Sequence, residues 1–111
     1  MTVTVVNIIP RKQAENAQTS QYTAVNCKTI IDKFTVTNTS ASTVQFSVNL
    51  VALAGSASAS NRVLSLKSIT PNDAYTCPEV VGQTLESGGF ISTLAGGASA
   101  LTISASGREV T

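Results

Sequence analysis

The sequence predicts a single all-β domain, residues 1–111, folded as an antiparallel β-sandwich of jelly-roll or immunoglobulin-like type with at most one short helix. Three observations carry this. Short apolar/polar alternations of period two recur at intervals of roughly ten residues, clusters of Gly, Pro, Asn and Ser separate them, and no long stretch repeats at the helical period. With 111 residues the chain is one domain by length, and neither an internal repeat nor a linker divides it.

The first strand is read from Val3 and Val5 alternating with Thr2 and Thr4. Val6 and Ile8 then take the opposite parity, which implies a bulge or an end covered on both faces, and Pro10 is expected to close the strand. The polar run RKQAENAQTSQY reads as a crossing loop or one helical turn, with a short strand within Tyr22–Lys28.

From Thr29 the alternation is clearer, with Ile30, Phe34 and Val36 on one parity and Thr29, Lys33, Thr35 and Thr37 on the other. After the turn formers Asn38–Ser42, the residues Val44, Phe46, Val48, Leu50 and Ala52 alternate with Thr43, Gln45, Ser47 and Asn49. Two such runs joined by a short polar loop are expected to form a hairpin, whose Phe34, Val36, Val44, Phe46, Val48 and Leu50 make the centre of the core.

AGSASASN at 54–61 reads as a flexible loop, Val63–Ile69 as a strand, and Pro71-Asn72-Asp73 as the turn that ends it. Thr76 with Glu79 three residues later has the form of a capping box, so Pro78–Leu85 is expected to make one or two helical turns. Phe90–Leu94 and the alternating Leu101, Ile103 and Ala105, separated by Gly96-Gly97, are expected to form a second hairpin.

Composition narrows the chemistry. Hydrophobic residues make up 42% of the chain and charged residues 12%, with a net charge of +1, so there is no field to concentrate nucleic acid or an anionic membrane. The apolar Met1–Ile9 is too short to span a bilayer and has no preceding positive charge, so it reads as a strand and not as a signal peptide. Cys27 and Cys77 belong to no CxxC pair and the chain has no His, which leaves a zinc site without its usual ligands. Both cysteines are expected to be reduced and structurally dispensable.

Without His, a general base would have to come from Glu15, Asp32, Asp73, Glu79, Glu86 or Glu109, or from a lysine of depressed pKa. The six carboxylates fall in different segments, and no Trp is present to line a sugar cleft. The glycines of ESGG and GGAS lack the strand, lysine and helix of a phosphate loop and read as turn glycines. Arg11-Lys12 reads as a solvated loop. The expectation is therefore a protein that is not an enzyme, with no catalytic, cofactor-binding or metal-ligating residue and no cofactor.

Two features remain open at this level. Asp32 shares the parity of Ile30 and Phe34, so either a strand start or bulge turns it outward or it is buried in a pair with Lys or Arg. No charge occurs between Lys33 and Arg62, or from Ser87 to Gly107. Exposed strand edges normally carry charges that discourage pairing with other chains, so these stretches either occupy sheet centres or lay their hydroxyl faces against other subunits.

The segments NIIPRKQAENAQTSQYTA, IIDKFTVTNTSASTVQFSVNLV, SITPNDAYTCPEVVGQTLESGGFIST and ALTISASGREVT, nearly the whole chain, together resemble small virion structural proteins of tailed bacteriophages. The resemblance carries no site residues and no catalytic motif. It implies a virion protein made in the host bacterial cytoplasm, with the major capsid protein or other virion subunits as partners and a homo-oligomeric or shell-repeated state. No specific nucleic acid and no membrane is implied. Capsid decoration or cement is the role expected first, a neck or tail accessory role second, and a host-glycan or receptor binding module is the alternative from another class, against which the scarcity of aromatics counts.

Overall fold

Nine strands and one turn of 3-10 helix make up the regular structure of the computed structural model, which describes all 111 residues. They are β1 (Val3–Gln13), β2 (Thr19–Thr23), β3 (Lys28–Asn38), β4 (Val44–Val51), the 3-10 turn Ala59–Asn61, β5 (Arg62–Ile69), β6 (Ala74–Tyr75), β7 (Thr84–Leu85), β8 (Phe90–Ala95) and β9 (Leu101–Val110). One sheet runs β1-β9-β3-β6, with β7 also pairing β3, and the other runs β2-β8-β4-β5. Every pairing is antiparallel.

The pairings are nested: β1 with β9, β2 with β8, β3 with β6 and β7, and β4 with β5. Successive pairs alternate between the sheets, so a single antiparallel ribbon is wound round the sandwich, which is the jelly-roll arrangement. This decides between the two expected topologies. It also corrects both expected hairpins. β3 and β4 lie in opposite sheets, as do β8 and β9, so the loops after Asn38 and Ala95 are corners that cross the sandwich.

The β3–β4 corner is held by Asn38, whose side chain is fully buried. Its amide donates to the carbonyls of Ser42 (2.8 Å) and Ile69 (2.7 Å), and its oxygen accepts from the Ser40 amide (2.9 Å) and hydroxyl (2.7 Å). One Asx side chain thus satisfies the backbone of a turn that no ladder reaches.

Between the sheets, 22 buried residues form one continuous cluster, with Phe34 from one sheet and Phe46 from the other at its middle, their ring centroids 6.2 Å apart. Phe34, Val36, Val44, Phe46 and Val48 occupy the core as expected, but Leu50 is only half-buried at its margin. Val51, by contrast, is 1% exposed yet lies outside the cluster, because it is paired with Phe90 on the outer side of its sheet, where the 52–61 segment covers it. That segment is not a loose loop. Asn61 donates to the Ser56 carbonyl (2.9 Å) and accepts from the Ser58 amide (3.1 Å), closing the 3-10 turn.

Bulges account for the irregular parities. In β1 one falls between Val6 and Ile9 and a second between Ile9 and Lys12, so that Ile8 and Ile9 are both buried. The strand continues through Pro10 to Gln13, where a break was expected, because an edge strand at a bulge loses no ladder bond to proline. In β3 the bulge lies between Ile31 and Lys33. It buries Ile31 instead of Ile30 and turns Asp32 to the surface.

The segment Pro78–Leu85 holds isolated turns, not the expected helix. Gly82, at φ 89°, donates its amide to the Ile31 carbonyl (2.7 Å), tying the segment to β3 and leading into β7. No helix is long and apolar enough to cross a membrane.

Candidate functional site

The six carboxylates are dispersed over the molecule, each with its own non-acidic partner. Asp32 takes a bidentate pair of bonds from Arg108, at 3.0 and 2.9 Å, and this guanidinium holds its carboxyl below the ordinary carboxylate range. Of the two alternatives for Asp32, the surface bulge is the one found, with the pair at the surface. Glu15 accepts from Gln21 and Lys12, both at 2.9 Å, and these bonds lower its pKa. Asp73 accepts from the Ala74 amide (2.9 Å), and Glu86 lies 3.5 Å from Lys28. Glu79 accepts from the Tyr75 hydroxyl (2.7 Å), which pushes that phenol up to about 12, and the Tyr75 ring in turn carries the Lys67 ammonium 4.7 Å from its centroid. No three Cys, Asp or Glu side chains come close enough to hold a metal ion.

Glu109, like Glu15 between Lys12 of β1 and Gln21 of β2, connects the two sheets. The Tyr22 hydroxyl, reaching over from β2, donates to it at 2.5 Å and lies 2.7 Å from the Thr29 hydroxyl on β3. Burial and the adjacent carboxylate both raise the Tyr22 pKa, so the phenol stays protonated and acts as a fixed strut between the sheets.

A second polar cluster, invisible to sequence patterning, lies on the outer face of the β2-β8-β4-β5 sheet. Asn49, fully buried, donates to the Ser58 carbonyl (2.9 Å) and the Asn61 side chain (2.7 Å). Gln18 donates to the Ser92 hydroxyl (2.8 Å) beside it. On the inner side, Gln21 donates to the buried Thr93 (3.0 Å). No buried side-chain nitrogen or oxygen lacks a partner, so these clusters fix the covering segments and leave no polar atom aimed at a ligand.

Both cysteines are free and buried, Cys27 6% exposed and Cys77 fully enclosed. Burial, helped by Glu79, pushes the Cys77 thiol up to about 12. A thiol-specific reagent added to the native protein at neutral pH is expected to react with neither side chain on the timescale of minutes, and with both after denaturation. Fast modification of Cys77 in the folded state would contradict this burial.

The uncharged stretches resolve largely into sheet centres. β3, β4, β8 and β9, which hold most of those residues, are all flanked on both sides, while the edge strands carry charges of their own: Arg11 and Lys12 on β1, Arg62 and Lys67 on β5. The long neutral runs therefore do not by themselves expose unguarded edges. A half-exposed hydroxyl face remains on the β1-β9-β3 sheet, from Thr102, Ser104 and Ser106 of β9 and Thr35 and Thr37 of β3. Beside it lies a shallow cleft of about 320 Å³ between β3 and the 76–81 turns, lined by Asp32, Lys33, Thr35, Thr76, Pro78 and Val81 among others.

No protein-family model, no curated protein and no solved structure matches this chain.

Proposed function

We propose that this chain is a structural protein of a tailed-bacteriophage virion, and within the virion a capsid decoration or cement protein that adds contacts between major capsid subunits. It performs no reaction. The resemblance of its sequence to small virion proteins of such phages carries the reading. The fold is compatible with it: a jelly roll whose buried polar side chains are all satisfied, whose carboxylates are dispersed and individually partnered, and one of whose sheets presents a half-exposed row of Ser and Thr.

On this reading the chain is held by neutral hydroxyl and aliphatic contacts, and the protein repeats over the shell. Raising salt from about 0.1 to 1 M shortens the Debye length from about 10 to 3 Å, which loosens ion-pair interfaces but leaves apolar burial intact or stronger. Purified particles should therefore retain the protein across that range. Release at high salt would reject this type of interface, and absence of the protein from particles would reject the virion assignment. Labelled protein seen only at the neck or tail would replace cement by an accessory role.

A further inference from the structure

The four sheet edges are not alike. β5 carries Arg62 and Lys67, β6 and β7 are two residues each, and β2 is five residues long with a bulge between Ser20 and Tyr22. β1 is guarded only in its second half, by two bulges, Pro10, Arg11 and Lys12. Its first half, Val3–Val6, has neither a charged side chain nor proline, and its pairing with β9 is regular.

The hydrogen-bond phase fixes what this half presents. Thr2 and Thr111 exchange both backbone bonds, at 3.1 and 2.9 Å. In an antiparallel ladder such pairs alternate, so Thr4 and Val6 also bond inward to β9, while the N–H and C=O groups of Val3 and Val5 point to the open edge. No other backbone bond engages Val3 or Val5, and the two residues are 50% and 79% exposed. An open strand edge with apolar side chains and no guarding charge is a template for another strand.

We infer that this edge pairs with the same edge of a second copy, antiparallel about a two-fold axis at Thr4, joining the two β1-β9-β3 sheets into one. The sequence is self-complementary about that point. Val3 falls opposite the partner's Val5 and Val5 opposite the partner's Val3, Thr4 faces the partner's Thr4, and the outward groups of both valines find partners. Identical strands bring identical charges together, so self-pairing suits only an uncharged edge. The charges nearest this edge stand on β9 and already have partners: Glu109, opposite Thr4, accepts from the Tyr22 hydroxyl, and Arg108, opposite Val5, is paired with Asp32. This pairing deepens the proposed function by supplying the contact between repeated copies, yet its geometry stands without the virion. A single short edge covers less than the roughly 1,200 Å² of a stable free-standing complex, so the dimer is weak in dilute solution and is strengthened where many copies are held together.

Analytical ultracentrifugation of the purified chain from about 10 µM to 1 mM is expected to show a concentration-dependent shift from monomer to dimer, a range that suits a weak complex. Val5→Pro, which removes an outward N–H without costing a bond to β9, and Val5→Lys, which sets a lysine on each edge, should both stay monomeric. Thr4→Cys should form a disulfide-linked dimer under mild oxidation, because directly opposed residues of a pair that is not hydrogen-bonded lie about 4.5 Å apart at Cα. Gln13→Cys, beyond the bulges, is the control and should not crosslink. A wild-type chain that stays monomeric at about 1 mM with no selective Thr4→Cys crosslink overturns the inference, as does dimerisation that both Val5 variants retain. A monomer nonetheless found in particles would reject this inference alone, and a dimer missing from particles would reject the virion reading alone.

Discussion

Replacing Phe46 by alanine is expected to destabilise the fold by about 3–5 kcal/mol, the cost of emptying a large, fully enclosed aromatic site. Phe46 is 0% exposed and its ring meets Phe34 across the sandwich. It lies in β4, an inner strand whose backbone is fixed by β8 and β5, so the surroundings have little freedom to collapse into the void. A domain of this size has a total stability on the order of 5–15 kcal/mol, so the variant should unfold at much lower urea while keeping a similar denaturant slope. A loss below about 1 kcal/mol would mean that Phe46 is not at the centre of the core.

Gly107→Ala is expected to be as damaging, by a different route. Gly107 stands opposite Ile31 where the β3 bulge begins, and a Cβ there would overlap the Ile30 carbonyl oxygen. The obstruction is backbone in the middle of a sheet, flanked by β1 and β3, so no side chain can swing aside. Overpacking usually costs about 1–3 kcal/mol, and an obstruction by main chain belongs at or above the top of that range. The bulge would have to open, which should show as faster amide exchange at Ile31 and Lys33. Alanine at Gly82 is the contrasting control: its Cβ would meet nothing within 4 Å, and only its positive φ opposes substitution.

The period-two alternation of Val44, Phe46 and Val48 was enough to find the core, because the positions of β4 that face the other sheet are apolar while the outward Gln45, Ser47 and Asn49 are polar, even though Ser47 and Asn49 are themselves buried. It failed at Leu50 and Val51, where the 52–61 segment covers the outer face and a second dry surface reverses the sense of the pattern. Ile30, on the parity of Phe34 and Val36 in sequence, leaves their face for a related reason: the bulge between Ile31 and Lys33 moves the parity by one, and its local sign, Gly107, stands far away in sequence.

Pairing partners were not legible at all. Strands of the two sheets alternate alike, so nothing in Phe34–Val36 and Val44–Leu50 says whether the intervening turn reverses the chain within one sheet or carries it across to the other. Asn38 makes that decision through bonds to Ser42 and Ile69, yet in sequence it looks like any turn former. Asn49, Ser92 and Gln18 were equally silent, since a buried polar residue reads as an exposed one until its partners are known. The edge at Val3–Val5 was visible as a strand, but its exposure followed only from the sheet order.

The nesting of the strand pairs has a kinetic consequence. β4 and β5 are the innermost pair and close over a short loop, whereas β1 meets β9 across almost the whole chain, with Thr2 bonded to Thr111. Folds dominated by such distant pairings fold slowly, because the entropy of the intervening loops is lost before the contacts that offset it form. During synthesis β1 emerges first and waits longest, its valines unpaired on both edges until β9 has left the ribosome. Within the described chain, β1 therefore completes its own sheet last, and its outer edge becomes a single defined surface only when folding is over.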